Sequence, residues 1–430
     1  MRAGSWACSK LCKARRSEPA AVTEPRKLRV LTFSTLYPSS VRPGHGIFVE
    51  TRLRELIASG QIESRVVAPV PWFPSTDGRW GEYALMAKTP AREHRNGIEV
   101  LHPRYGLLPK IGMNLAPLGL FLGAKAAVQQ LLDEGFDFDV IDAHYYYPDG
   151  VAAAMLARHF KKPLTITARG TDLNLIPQYS LPRKMMQWAA RRAQGSIGVC
   201  SALVDVLRGW NIPEERLHVM RNGVDLQRFR PAPPAQVREE LGLQGSPLLM
   251  SVGYLIERKG HHLAIEALAH LLPRFPNARL VIVGEGPERK NLQELAERLG
   301  VAQHLSMPGA QPNAELYRWY SAAEIFILAS SREGWANVLL ESMACGTPVV
   351  ATDIWGTPEV VSDPVAGRLV KERTGLAFAH ELAQLLAAMP DRAAVRRFAE
   401  GFSWAATTQA QLDLFNRLSG AKTQGRGPDA

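Results

Sequence analysis

The residues best equipped for chemistry lie in one stretch, Ser330 to Thr352, where Glu333 is followed eight positions later by Glu341. The pattern reads as a strand ending near Ser330, a loop carrying Glu333 and Gly334, and a short helix running to Cys345, with Gly346 at its end. Asn337 is placed to cap that helix, and Glu341 to lie two turns below the loop. A helix N-terminus offers free backbone N–H groups and a positive dipole end, which suit a phosphate or a cluster of sugar hydroxyls. Two carboxylates nearby can each accept hydrogen bonds from a diol. Their spacing alone does not make them a glycosidase pair, because loop geometry sets their separation. Elsewhere, Arg258 and Lys259 precede Gly260, and His144 follows an apolar run, Phe138 to Asp142.

Elements of alternating type must position these groups. Leu28–Phe33 reads as a strand, followed by a loop with Gly44 and Gly46 and a helix from Phe48 to Ala58. Strands are predicted at 66–70, 138–142, 164–167 and 196–200, with an Ala-rich helix from Gly150 to Phe160. The Pro-rich run Arg230 to Ala235 is the best linker. Beyond it the pattern restarts: strands at 248–253, 280–283, 325–328 and 348–351, and helices at 261–272 and 338–344. Alternating strands and helices imply parallel sheets covered by helices, here two doubly wound α/β domains in tandem. Ligands of such sheets bind beyond the carboxyl ends of the strands, so the cleft between the domains is the expected site.

Length and composition agree. The 430 residues are 46% hydrophobic and 21% charged, which excludes a largely disordered or collagen-like chain. The net charge of +10 is unevenly spread: residues 1–220 hold 29 Lys and Arg against 19 Asp and Glu, and residues 221–430 hold 22 of each. The basic half therefore expects an anionic partner. Four cysteines are too few for a disulfide framework. Residues 1–25 and 419–430 read as loose tails, the first carrying five cations and two anions. The first tail lacks the apolar core of a secretory signal. The longest apolar stretch, Ile111 to Ala124, is interrupted by Asn114, Pro117 and glycines, so no transmembrane helix is expected. No His/Cys set suggests a metal, and His261-His262 reads as structural.

The motifs together resemble the retaining glycosyltransferases of family 4. Glu333 and Glu341 match that family's E-x7-E element, and the surrounding Glu-Gly…Leu-Glu-Ser-Met-Ala-Cys-Gly-Thr-Pro-Val-Val run resembles it almost continuously. Asn222-Gly-Val-Asp225, Lys259-Gly260, Gly284-Glu-Gly286, Phe402-Ser-Trp404, Gly46 and Gly170-Thr-Asp172 also match. More narrowly, Thr167 to Asn174 and Glu333 to Asn337 resemble the branch that assembles teichuronic acid and exopolysaccharide.

The resemblance implies a GT-B fold, two Rossmann-like domains facing a cleft. Residues 26–225 would form the acceptor domain and 226–402 the donor domain, with a C-terminal helix near 403–418 crossing back. It implies transfer of a hexosyl group from a nucleotide diphosphate sugar to a hydroxyl of a lipid-linked glycan, with no metal or other cofactor. Glu333 would contact the donor sugar, and the backbone of Gly334, Trp335, Ala336 and Asn337 the sugar and diphosphate. Glu341 would accept from the ribose, and Lys259 would neutralise the pyrophosphate. Gly253, Gly284 and Gly46 would line the donor site. His144 would reach the sugar to orient it. The chain departs from the family at Tyr254, where an Arg is usual, and Arg258 is the substitute cation. Arg169 replaces a family His and, with Asp172, would face the acceptor. The Tyr145-Tyr146-Tyr147 run reads as packing. The alternatives are a nucleotide-sugar epimerase of the same fold and a non-catalytic glycan- or nucleic-acid-binding protein. Nucleic acid is not expected, for want of a compact basic cluster with interleaved aromatics. The expected place is the cytoplasm, peripheral on the inner membrane face, with the basic half docked to anionic lipid.

Overall fold

A computed structural model describes residues 26–106 and 112–420. The expected tail at 1–25 lies outside the described residues, as does that at 419–430 except for Ser419, which ends a helix, and Gly420, which caps it.

Two sheets form the framework. The first has eight strands, in the spatial order Leu217–Val219, Gly195–Gly198, Leu164–Ala168, Val140–His144, Leu28–Phe33, Ile62–Val67, Ile98–Leu101 and Arg92–Arg95. All neighbours are parallel except the last pair. The second has six parallel strands, in the order Leu305–Gly309, Arg279–Val283, Leu248–Val252, Ile325–Leu328, Val349–Thr352 and Gly367–Val370. The central strands are buried along their whole length and mainly apolar, because helices cover both faces and leave neither side to water.

The ends differ from the reading in instructive places. The strand expected over 66–70 ends at Val67, and Val70–Pro71 pairs separately with Arg104–Tyr105, because Pro69 has no N–H to continue the ladder. In the expected linker, Pro234 opens a helix, Pro234–Leu241, where its missing N–H costs nothing. The domain crossing instead involves Val224, whose N–H bonds the carbonyl of Phe402, so the outward and returning chains run side by side. The returning helix Trp404–Ser419 packs on helix Ile47–Ala58 and on strand Val140–His144. Its Leu412 and Phe415 are buried with Leu28, Val30 and Val140. Burying a side chain of that size contributes about 1.5–3 kcal/mol, which holds the chain end on the first domain.

The apolar stretch read as interrupted is continuous. Gly112–Asp133 is a single 22-residue helix, long and apolar enough by length and composition to cross a membrane, though only 33% of its most apolar window is buried. The residues read as interruptions lie inside it. A Cβ on Gly119 or Gly123 would meet the carbonyl of Gly106 or Arg104 at 2.7 or 2.5 Å, so these glycines are packing contacts and not breaks. Ile111 lies outside the described residues.

Candidate active site

The carboxyl ends of both sheets face a cavity of about 390 Å³. The second domain contributes Arg258, Lys259 and Arg332–Val338, and the first Leu36, Phe48, Tyr145 and Arg169–Thr171. Lys259 ends a tight turn, Glu257–Lys259, just after strand Leu248–Val252. Glu333 sits in the loop after strand Ile325–Leu328. There Lys259 Nζ donates to Glu333 Oε1 at 2.7 Å, and an Arg258 guanidinium nitrogen lies 3.7 Å from the same oxygen. Burial would raise the Glu333 pKa, but the charge and hydrogen bond of Lys259 outweigh it and hold the carboxyl below its ordinary range. Arg258 also donates to the Arg332 carbonyl at 2.8 Å, which turns its head into the cavity that Tyr254, exposed, does not line. Arg332 also lines the cavity. Four cations, Arg169, Arg258, Lys259 and Arg332, thus surround one carboxylate.

The helix after Glu333 is Asn337–Ala344. Asn337 is its first residue and not its cap: Ala336 occupies the cap position, and no side chain satisfies the helix start. Glu341 is therefore one turn in, not two. It opens onto a second cavity of about 70 Å³ with Asp225, Arg228 and Asn313. The two glutamates do not share a chamber, and Asn337 lines both. Glu341 accepts from Tyr320 Oη at 2.9 Å. Burial pushes its pKa up to about 7, with Tyr320 and Arg228 offsetting only part.

Contacts across the cleft are backbone-close. A Cβ on Gly334 would meet the Arg169 carbonyl at 2.2 Å, and one on Gly170 the Gly334 nitrogen at 2.9 Å. Only glycine at both positions lets the domains approach this far. Asn222 joins them: it accepts from Arg169 at 3.2 Å and donates to Asn337 Oδ1 at 3.2 Å, and its carbonyl accepts from Trp335 Nε1 at 3.1 Å.

The structure places His144 differently from the expected sugar contact. The ring is buried and does not line the cavity. Arg169 donates to its Nδ1 at 2.6 Å. A guanidinium can only donate, so the ring proton sits on Nε2, 3.2 Å from Asp142. Burial, reinforced by Arg169, pushes the His144 pKa down to about 4 against the pull of Asp142. His144 therefore positions Arg169, and Arg169 faces the cavity. Asp172 is also buried, accepting from the backbone of Tyr146, Gly170 and Arg169 at 2.7–3.0 Å, and so fixes the loop that carries Arg169.

Gly253, Gly284 and Gly46 are not on either cavity wall. Gly46, at φ 68°, begins helix Ile47–Ala58, and a Cβ there would strike the Leu36 carbonyl at 2.3 Å. It shapes the cavity only through Leu36. The tyrosine run divides: Tyr146 and Tyr147 pack, but Tyr145 lines the cavity at φ 82°, a strained conformation for a non-glycine residue at a strand end. No residue type announced that. Phe48, Arg332 and Asn222 were also missed as wall residues, although the last two lie in motifs already singled out. His261, bonded to Ser251 at 3.1 Å, and Cys345 are buried structural groups.

Comparison with known proteins follows the same lines. The family profile described as glycosyl transferases group 1 matches residues 235–401, and that of glycosyltransferase family 4 matches residues 44–228. A putative teichuronic acid biosynthesis glycosyltransferase of Bacillus subtilis is 30% identical over 336 residues, 76% of this chain and 82% of that one. A D-inositol 3-phosphate glycosyltransferase of Frankia alni is 33% identical over 359 residues, 76% and 87% of the two chains. Among solved structures, the sucrose-phosphate synthase of Thermosynechococcus elongatus superposes with a TM-score of 0.74 at 20% identity, covering 92% of this chain and all of that one. An Anabaena protein in complex with UDP-glucose superposes at 0.67 and 19% identity, covering 91% and 100%. The fold is GT-B.

Proposed function

The chain belongs to glycosyltransferase family 4, and we propose that it moves a hexosyl group from a nucleotide diphosphate sugar to a hydroxyl of a lipid-linked glycan, with retention at the anomeric carbon. The observation that carries this reading is the imbalance of four cations to one carboxylate at an uncapped helix start. Departure of a nucleoside diphosphate develops negative charge, and fixed cations and N–H groups aimed there lower the barrier without reorganising. Lys259, Arg258 and the start of helix Asn337–Ala344 hold the diphosphate, and no metal is needed for that neutralisation. Glu333, kept ionised by Lys259, accepts from the sugar hydroxyls. Glu341, in the adjoining chamber, meets the ribose. With Glu333 tied to Lys259 and given to the sugar hydroxyls, the acceptor attacks on the face the diphosphate leaves, and a leaving phosphate oxygen takes the acceptor's proton. Gly170 and Gly334 close the cleft and exclude water that would hydrolyse the donor.

The donor belongs on the second domain and the acceptor on the first. The Anabaena neighbour's UDP-glucose makes UDP sugars the first donors to try, with GDP and ADP sugars beside them. A donor at 100 times its dissociation constant adds about 2.7 kcal/mol of stability, which a thermal-shift panel reads directly. Glu333→Ala is expected to abolish transfer with the fold intact. Full turnover in that variant refutes the assignment, and product from donor alone replaces it with epimerisation.

A further inference from the structure

The three helices on one side of the first sheet carry an unusual surface. Helix Gly112–Asp133 packs against Val151–Phe160, and Ser180–Arg192 touches both. On the outer side of the first, Leu115, Leu118 and Leu122 are 49%, 47% and 61% exposed, spaced three and four residues apart on one stripe. Its inner side buries Leu120, Ala124 and Val128. Apart from the exposed Asn114 the first turns are apolar all round, and only from Lys125 onward is the outer side mainly polar. Leu181, at the start of the third helix, is 45% exposed as well.

Charge surrounds this stripe. Helix Ser180–Arg192 holds Arg183, Lys184, Arg191 and Arg192 and no carboxylate. With Lys125 and Arg158 the three helices have six cations against one carboxylate, Asp133. That is +5 of the +7 carried by residues 26–220. Among the described residues none of the six pairs with a carboxylate, whereas most other arginines of this domain do. The apolar end is tied to the segment that follows strand Val140–His144. Tyr147, just past the carboxyl end of strand Val140–His144, donates to the Met113 carbonyl and fixes the helix start there.

We propose that this face is a docking surface for an anionic phospholipid bilayer, with the leucine stripe entering the acyl boundary and the cations meeting headgroups. An apolar stripe flanked by unpaired cations matches that interface in both respects. A soluble polyanion would use the cations and leave the leucines in water. A second copy of the chain, docked through the same face, would set +5 against +5. The placement deepens the lipid-linked reading of the acceptor, since it sets the cleft mouth at the bilayer surface. Binding needs neither donor nor acceptor, so it can fail while transfer stands, and Glu333→Ala should bind as the parent does.

The test is flotation of the full chain with vesicles of phosphatidylcholine alone, or with about 30% phosphatidylglycerol, at low and high salt. The parent should partition to the anionic vesicles and release in salt. Leu118→Glu/Leu122→Glu and Arg183→Glu/Lys184→Glu should each weaken partitioning roughly tenfold or more while melting like the parent. Leu376→Glu, an equally exposed leucine of the second domain, should change nothing. If one double variant does not fold, the other decides. The proposal is overturned if the parent ignores anionic vesicles, if both variants bind undiminished, or if the stripe instead mediates a dimer that Leu118→Glu dissolves in sedimentation.

Discussion

Removing the amine of Lys259 should destabilise the protein in a way that depends on pH, and the size follows from its partner. Lys259→Met leaves the buried Glu333 carboxylate with Arg258, 3.7 Å away, as its nearest cation. The group can escape by taking a proton. Protonating a carboxyl of ordinary pKa 4.5 at pH 7 costs about 3.4 kcal/mol, which caps the penalty. Arg258 offsets part of it, so about 2 kcal/mol is expected at pH 7. The parent's Glu333 pKa lies below its unfolded value, so its pair stabilises above that value and loses this as pH falls. In the variant the pKa rises above the unfolded value, so the penalty appears above about pH 4.5 and grows with pH. Melting curves of parent and variant from pH 5 to 8 check this. At 2–4 °C per kcal/mol for a domain of this size, the gap should be roughly 4–8 °C at pH 7 and smaller at pH 5, where only the loss of the parent's pair remains. Adding Glu333→Gln should remove most of it. A gap independent of pH, or one unchanged in the Gln background, refutes the reasoning.

Two further outcomes follow from the geometry. Gly334→Ala sets a Cβ 2.2 Å from the Arg169 carbonyl, so the cleft must open by about 1 Å. Transfer should fall about a hundredfold while donor still raises the melting temperature, measured by initial rates beside thermal shift. Glu341→Gln should stabilise the protein above pH 7 by up to about 2 kcal/mol and do little at pH 4.5. The folded carboxyl, raised to about 7, holds its proton longer than the unfolded one, so the parent alone loses stability across that window. Equal pH profiles for parent and variant would contradict it.

The sequence carried the architecture because parallel strands buried on both faces are dominated by apolar residues, and that signal survives any later detail. It also carried the loop at the cavity wall, where Glu333 to Asn337 are neighbours in the chain and stay neighbours in space. What it could not carry depends on relations between distant residues. His144 was expected at the sugar, but the Arg169 guanidinium, 25 positions on, takes its free nitrogen and stands between it and the cavity. Glu341 was expected two turns below the Glu333 loop, but it lies one turn into the helix and opens into another chamber. The apolar helix was hidden by glycines whose purpose, closeness to Arg104 and Gly106, exists only in the fold.

The same long-range relations argue for an anion in the cleft. A buried guanidinium is expensive unless a carboxylate pairs with it. Arg169 is half-buried, its nearest bonds go to neutral His144 and Asn222, and desolvation with the neighbouring Arg52 pushes its pKa down to about 9. Arg52 in turn is held by Gln411 of the returning helix at 2.6 Å, and Gln411 donates to Asp142 at 2.9 Å. The chain end, the histidine and the arginine thus form one buried polar chain that stops, unneutralised, at the cavity wall. Such a cation is kept only where the surrounding structure over-determines it. A negatively charged group arriving beside Lys259 and Arg258 would complete the chain, and the cost of holding Arg169 would return as affinity for that group.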